Sequence, residues 1–220
     1  MKKTGKKLIK NHERVSTLKE LINQFQSFVE TIQNEIVHPQ KSLYLSSRVD
    51  YLPETFIVND GTKVHLEIGE RRHIADVLYI EKLGYNGQTP WGYTALESDI
   101  VRNTKSLYLV VYHNLEPIAF IGVRLENSDI HVTNIAVVPE WQQQGIGQKL
   151  FDLLSEVAKE EQVSTLSLEV RISNKKAQNL YKKLGFVALR IKKNYYHGDG
   201  EDAVDMSLTL EKSDEKHLGK

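Results

Sequence analysis

The residues with the most evident chemical use lie in Ile135-Ala136-Val137-Val138-Pro139-Glu140-Trp141-Gln142-Gln143-Gln144-Gly145-Ile146-Gly147-Gln148-Lys149-Leu150, where a strand ends, a glycine loop turns and a helix begins. The first backbone N–H groups of a helix have no partner within it, and the helix dipole favours negative charge there. Glycines let a phosphate come close to the backbone. A pyrophosphate is the natural guest of such a turn. Two carriers are excluded by spacing. The P-loop pattern puts Lys-Ser or Lys-Thr after its second glycine, whereas Gln148-Lys149 follow here. The dinucleotide pattern needs a third glycine where Leu150 stands. The alternative is that the glycines only shape a strand-to-helix turn, and the local pattern leaves both readings open.

A second group carries proton chemistry. Apolar Leu166, Leu168 and Val170 alternate with Ser167, Glu169 and Arg171, so the Glu169 side chain shares a strand face with Ser167 and Arg171. On these residues alone Glu169 reads as a sheet-edge carboxylate paired to Arg171. Tyr181 stands at helical spacing with Ala177 and Leu184, which reads as core packing. Asn174 is placed to cap a helix. Tyr195 and Tyr196 precede a glycine-rich turn and read as strand aromatics, with Glu201 and Asp202 as surface charges. The 8 histidines form no HExxH pattern, and with 0 cysteines there is no thiolate metal site, disulfide or cysteine nucleophile. No metal is expected, and no Ser/His/Asp arrangement can be argued.

The elements that must position these groups follow from periodicity. Leu18, Leu21, Ile22, Phe25, Val29, Ile32 and Ile36 predict an amphipathic helix over 15–37, stopped before Pro39. Residues 40–55 have no period and read as a connector. Strands are expected at 56–58 and 64–68 around Asn59-Asp60-Gly61, then a helix carrying Ile74, Val77 and Leu78, a loop over 84–93 and a short helix over 94–102. Strands near 106–113, 117–126 and 130–138 follow. The helix opened by Gly145 presents Leu150, Phe151, Leu154, Val157 and Ala158 on one face. A strand at 165–171, a helix over 174–184 ended by Gly185, and strands at 187–194 and 203–210 close the chain. Meander strands followed by strand–helix–strand units indicate a mixed α/β, or α+β, sheet in one domain.

The 220 residues, with 40% hydrophobic and 26% charged side chains and 29 basic against 29 acidic residues, describe a globular protein with one sizeable core. The zero net charge argues against a specific nucleic-acid partner. The basic start, with Lys2, Lys3, Lys6, Lys7, Lys10, Arg14 and Lys19 against Glu13, reads as a solvated tail. It lacks the apolar segment of a signal peptide, no run approaches the ~20 residues of a membrane span, and a cytoplasmic location is expected. Oligomeric state is not legible.

Gln142-x-x-Gly145-x-Gly147 after a strand resembles the coenzyme A motif of the GNAT acyltransferase superfamily. Three further blocks narrow the resemblance to its RimI-like branch of protein N-terminal acetyltransferases. They are Leu168–Asn174, Asn179-Leu180-Tyr181-Lys182-Lys183-Leu184-Gly185-Phe186 and Asn194–Ala203, with Pro90-Trp91 also matching. The resemblance runs from about Val64 to Leu210. Val138, where bacterial members usually carry Asp, and the N-terminal extension depart from it.

The resemblance implies a GNAT fold of about seven strands with flanking helices over 56–212, preceded by a basic tail and helical extension over 1–50. It implies acetyl-coenzyme A as co-substrate, with Ile135, Ala136 and Val137 along pantetheine and Gln143, Gln144, Gly145, Ile146, Gly147 and Gln148 around the pyrophosphate. Asn174 would also touch the coenzyme. Glu169 would be the proton acceptor and Tyr181 the proton donor, with Trp91, Tyr195 and Tyr196 flanking the substrate's first residues. The implied acceptor is the N-terminal α-amine of a protein, a ribosomal protein beginning with Ala. That chemistry is coherent. An α-amine of pKa ~8 is roughly a tenth neutral at pH 7, whereas a Lys amine near ~10.4 offers far less. A Lys side chain, a small-molecule amine, or a non-catalytic coenzyme-binding module are the competing readings.

Overall fold

Asn59, Asp60 and Gly61 start the sheet by turning strand β1 (Thr55–Ile57) into β2 (Lys63–Ile68). Gly61 takes a left-handed φ of 89°, and Asp60 Oδ1 accepts the Thr62 N–H at 2.8 Å. The computed structural model describes residues 42–85, 87 and 89–210; the helix expected over 15–37 and the basic tail lie outside them. Helix α1 (Ile74–Gly84) follows a one-turn 3-10 segment whose Glu70 and His73 cap each other reciprocally. It buries Ile74, Val77 and Ile80, while Leu78 is only partly covered. Helix α2 (Tyr93–Glu97) widens into a π turn over Ser98–Arg102 in place of a uniform short helix.

Strands β3 (Ser106–His113), β4 (Glu116–Glu126) and β5 (Asp129–Val137) form the antiparallel meander. β3 is buried over nearly its whole length, as a central strand covered on both faces must be. Helix α3 (Ile146–Glu160) and strand β6 (Thr165–Arg171) make the crossover, and β5 and β6 are the one parallel pair of the described sheet. Helix α4 (Lys175–Lys183) leads into β7 (Val187–Tyr196) and β8 (Glu201–Thr209). The strand order is β1-β2-β3-β4-β5-β6-β8-β7, eight strands where about seven were expected, with the three-residue β1 at one edge. The fold class is the expected mixed sheet with flanking helices.

Leu150, Leu153, Leu154 and Val157 of α3 are fully buried, as the apolar stripe requires. The segment expected as a featureless connector does more. Leu45 and Val49 are buried in the core and the Leu45 N–H donates to Thr104 O at 2.8 Å. Two isolated apolar side chains in a one-turn segment have no period to detect. At the other edge of the sheet, the side chains of Val187, Leu189 and Ile191 on β7 are exposed.

Candidate active site

The parallel ladder between β5 and β6 is short. It runs from Asp129 opposite Thr165 to Val132 opposite Leu168 and then stops, so the strands part over 133–137. Thr133 is an extra residue between Val132, paired to Val123, and Asn134, paired to Gly122, and this bulge re-aims the end of β5. The Val138 N–H donates to Ile118 O at 2.9 Å, which makes Phe120–Ala136 and Gly122–Asn134 the hydrogen-bonded pairs beyond it. The peptide groups of Ile135 and Val137 therefore turn away from β4 into the gap. Their carbonyls meet partners there: Tyr85 Oη donates to Ile135 O at 2.8 Å and Gln142 Nε2 to Val137 O at 3.0 Å. Of the three β5 residues singled out in the sequence, Ile135 and Val137 present backbone to the gap, whereas the peptide of Ala136 is spent on β4.

The glycine loop closes one end of this gap. Gln143 and Gly145 have left-handed φ values of 66° and 82°. The turn from β1 to β2 braces the loop: Asn59 N–H donates to Gln144 O at 3.0 Å and Asn59 Nδ2 to Gln143 O at 3.2 Å. A Cβ on Gly145 would stand 2.7 Å from Asn59 Oδ1. Lys149 N–H donates to Gly145 O, so the N–H groups of Ile146, Gly147 and Gln148 form the first turn of α3 and have no carbonyl within the helix to receive them. The Gln148 side chain is directed to Asp152 instead, at 2.9 Å. Gln142 is held between Val137 O and Lys176 Nζ, the latter at 2.7 Å from its Oε1. The gap, the glycine turn and the helix start thus fit a pyrophosphate carrier with an extended arm. Asn174 caps α4, its Oδ1 accepting the Ala177 N–H at 3.0 Å.

Glu169 is not an edge carboxylate and is not paired to Arg171. Its strand lies between β5 and β8, and Arg171 Nη1 binds Asp199 and Glu201 at 2.8 and 2.7 Å. Glu169 Oε1 is bound by Lys192 Nζ and its Oε2 lies 3.2 Å from His131 Nε2. Burial alone would push this carboxyl up, but the hydrogen bonds and charges of His131 and Lys192 outweigh it and hold it down at about 2. Glu169 is ionised throughout the physiological range.

Tyr181 is buried on the α4 side, edge-on to Phe151 at 5.6 Å and tilted against Phe186 at 5.9 Å. Burial, reinforced by Tyr196, pushes its phenol far above the usual value, so it stays protonated. The core-packing reading is therefore correct and leaves the hydroxyl chemistry intact.

Tyr195 and Tyr196 pack edge-on at 5.2 Å beside Glu169. Tyr196 Oη donates to Glu169 O at 3.4 Å, and its ring lies 4.0 Å from the Arg171 guanidinium carbon. Glu201, read as a surface charge, is a structural partner of Arg171 and of the Ser173 N–H at 2.8 Å. Trp91 is half-buried, with Arg124 at 5.7 Å from its ring. Arg124 is in turn fixed by the buried Asp99 at 2.8 Å.

Several functional candidates escaped the sequence reading. Glu81 of α1 is fully buried, its carboxyl bound by Asn134 Nδ2, and Tyr85 Oη donates to Asn134 Oδ1 at 2.7 Å. Burial pushes the Glu81 carboxyl up to about 7, opposed by Asn134 and by the Trp91 N–H. This network ties the loop carrying Trp91 to the gap. Its only sequence signal was a carboxylate at a buried helical position next to Val77 and Ile80. His131 and Lys192 carried no local signal at all. Among the described residues no group of His, Cys, Asp and Glu is arranged to hold a metal, and no helix is long and apolar enough to cross a membrane.

Comparison with known proteins agrees with this geometry. Residues 63–186 match the acetyltransferase (GNAT) family. A Bacillus subtilis (strain 168) protein, provisionally named a [ribosomal protein bS18]-alanine N-acetyltransferase, is 38% identical over 122 residues, 56% of this chain and 81% of that protein. The [ribosomal protein bS18]-alanine N-acetyltransferase of Escherichia coli (strain K12) is 36% identical over 123 residues, 55% of this chain and 82% of that protein. The crystal structure of the ribosomal-protein-S18-alanine N-acetyltransferase from Escherichia coli superposes with a TM-score of 0.61 at 30% identity, covering 71% of this chain and 99% of that one.

Proposed function

The chain belongs to the acetyltransferase (GNAT) family, and from that premise we propose that it acetylates the N-terminal α-amine of a ribosomal protein whose first residue is Ala. The observation that carries the reading is the parting of β5 from β6 beside the glycine turn, with Glu169 held ionised on β6 and the Tyr181 phenol kept protonated on α4. Two relatives named for this acceptor are 38% and 36% identical to this chain over 122 and 123 residues. The catalytic domain is assigned from about residue 43 rather than from the expected 56, since Leu45 and Val49 are buried in its core, and the extension is the segment before it.

Acetyl-coenzyme A supplies the activated acetyl group. The first-turn N–H groups of α3, with Gln143 to Gly145, receive the pyrophosphate, and the backbone of Ile135 and Val137 lines the arm that reaches the reacting centre. Ala136 contributes its small side chain, and Asn174 borders the coenzyme from the cap of α4. Trp91, Tyr195 and Tyr196 enclose the first residues of the acceptor.

A carboxylate of pKa about 2 is a weak direct base, so Glu169 takes the amine proton through an oriented water. The neutral nitrogen attacks the thioester carbon. An N–H turned into the gap at Ile135 or Val137 stabilises the oxyanion that forms. The Tyr181 hydroxyl protonates the departing sulfur as the C–S bond breaks, and the proton that the attacking nitrogen sheds on becoming an amide returns to the Tyr181 oxygen.

Glu169→Gln and Tyr181→Phe test the assignment. Each is expected to lower kcat by about 10²-fold or more with coenzyme A affinity within about twofold of wild type. Wild-type turnover in both variants would remove these roles.

A further inference from the structure

Acetylation of an ammonium group releases a proton. One of the two protons leaving the nitrogen ends on the coenzyme sulfur as the N–C bond forms and the C–S bond breaks; the other must leave the site. This balance rests on the acetyltransferase reading above.

From Glu169 a continuous chain of polar side chains runs along the β5/β6 ladder. His131 Nε2 lies 3.2 Å from Glu169 Oε2, and His131 Nδ1 lies 2.9 Å from Ser167 Oγ. Ser167 Oγ is hydrogen-bonded to Asp129 Oδ2. The register explains the chain: His131 stands opposite Ser167 and Asp129 opposite Thr165 in the parallel pair, so all four side chains share one face. Asp129 is half-buried at the start of β5, next to the exposed turn at 126–128.

The valences of this chain fix its proton count. A serine hydroxyl has one proton to donate. If Ser167 donates to an ionised Asp129, its contact with His131 must come from Nδ1–H. The contact with the ionised Glu169 must come from Nε2–H, so His131 is then an imidazolium. If Ser167 donates to His131 instead, Asp129 must itself be protonated. Both arrangements hold the same single extra proton, and they interconvert by its passage through Ser167. Without that proton, one hydrogen bond of the chain is lost.

We propose that Glu169, His131, Ser167 and Asp129 form a proton wire that accepts the proton released from the acceptor amine and delivers it to the β4–β5 turn. With the wire empty, His131 is neutral with its lone pair at Nε2. The amine proton passes by water to Glu169 and on to His131 Nε2, while the Nδ1 proton moves through Ser167 to Asp129 and out. His131 is a positioning residue, acting through Glu169. The charged and titratable groups facing it are Glu169 from β6, Asp129 on its own strand, and Glu126 and Arg124 from β4. Behind Glu169 stand Lys192 and Tyr195 from β7 and Asp205 from β8. Burial raises the Asp129 carboxyl, and the hydrogen bond to Glu169 raises His131 above its ordinary value, which suits both as proton stores.

The test uses the full chain as wild type, Ser167→Ala, Ser167→Thr, Asp129→Asn and His131→Gln. Two readouts are followed: the pH dependence of kcat/KM, and the titration and tautomer of the His131 imidazole by NMR, assigned through the His131→Gln variant. Ser167→Ala and Asp129→Asn are expected to shift the His131 titration to lower pH, to move the acid limb of the rate profile with it, and to lower kcat about tenfold at pH 8. Ser167→Thr, which keeps the hydroxyl, is expected to restore both. An acid limb and a His131 titration that stay at their wild-type positions in Ser167→Ala and Asp129→Asn would overturn the wire. If wild type acetylates no α-amine, the functional reading fails; the stored proton is then decided by the NMR titration alone, by the same criterion.

Discussion

Replacing Gly145 by Ala separates the two readings of the glycine loop, a coenzyme cradle or a mere turn. The residue has φ of 82°, where an L side chain costs ~1–2 kcal/mol. Its new Cβ would also sit 2.7 Å from Asn59 Oδ1. The Asn59 side chain can swing away, but only by surrendering its bond to Gln143 O, about 0.5–1.5 kcal/mol. The sum is about 1.5–3.5 kcal/mol.

Where the penalty appears depends on whether the loop relaxes. A loop that stays in place loses folding stability; one that relaxes must regain its shape on binding, and coenzyme A affinity falls by up to about 10–300-fold. Urea unfolding and calorimetric titration with coenzyme A, taken together, are therefore expected to recover about 1.5–3.5 kcal/mol between them. In an Asn59→Ala background the steric part disappears and the φ part remains, so a double-mutant cycle yields about 0.5–1.5 kcal/mol of coupling. Wild-type stability and wild-type coenzyme A affinity in Gly145→Ala would refute this reasoning.

Asp99 accepts from Ser106 Oγ at 2.7 Å, Tyr108 Oη at 2.9 Å and Arg124 Nε at 2.8 Å inside the core. Asp99→Asn leaves Arg124 without its carboxylate and turns one acceptor oxygen of the buried cluster into a donor, and is expected to cost about 3 kcal/mol, a fall in Tm of about 6–12 °C by calorimetry. The Glu81 carboxyl is raised by burial to about 7 from 4.5, so the folded state keeps its proton where the unfolded state has lost it. Stability is then fully present below pH 4.5 and declines as pH rises to about 7. Glu81→Gln is expected to abolish that decline, about 1–2 kcal/mol after solvent screening, in urea unfolding at pH 5 against pH 8.

What was legible in the sequence is what local chemistry encodes. The glycine turn, the alternation that puts Glu169 on a polar face, the cap at Asn174 and the helix stop at Gly185 all depend on neighbours within a few residues. What escaped depends on register and packing. Asn59 braces a loop 84 residues away, and Asn134 reaches Glu81 across 53. His131 meets Ser167 only because β5 and β6 pair in parallel at that point. The supposed Glu169–Arg171 pair failed for the same reason: Arg171 turns to Asp199 and Glu201 of the β7–β8 hairpin, leaving Glu169 to Lys192 and His131. The bulge at Thr133, which turns Ile135 and Val137 toward the gap, has no signature in the residue types.

The central claim, transfer to an α-amine, is tested most directly by mass spectrometry of two peptides incubated with the protein and acetyl-coenzyme A. Both begin Ala-Arg-Tyr-Phe and carry one internal Lys, and one has its α-amine blocked. The account predicts a single acetyl group on the N-terminus of the unblocked peptide and none on the blocked one. Acetylation of the internal Lys in both peptides, or of neither peptide, would contradict it.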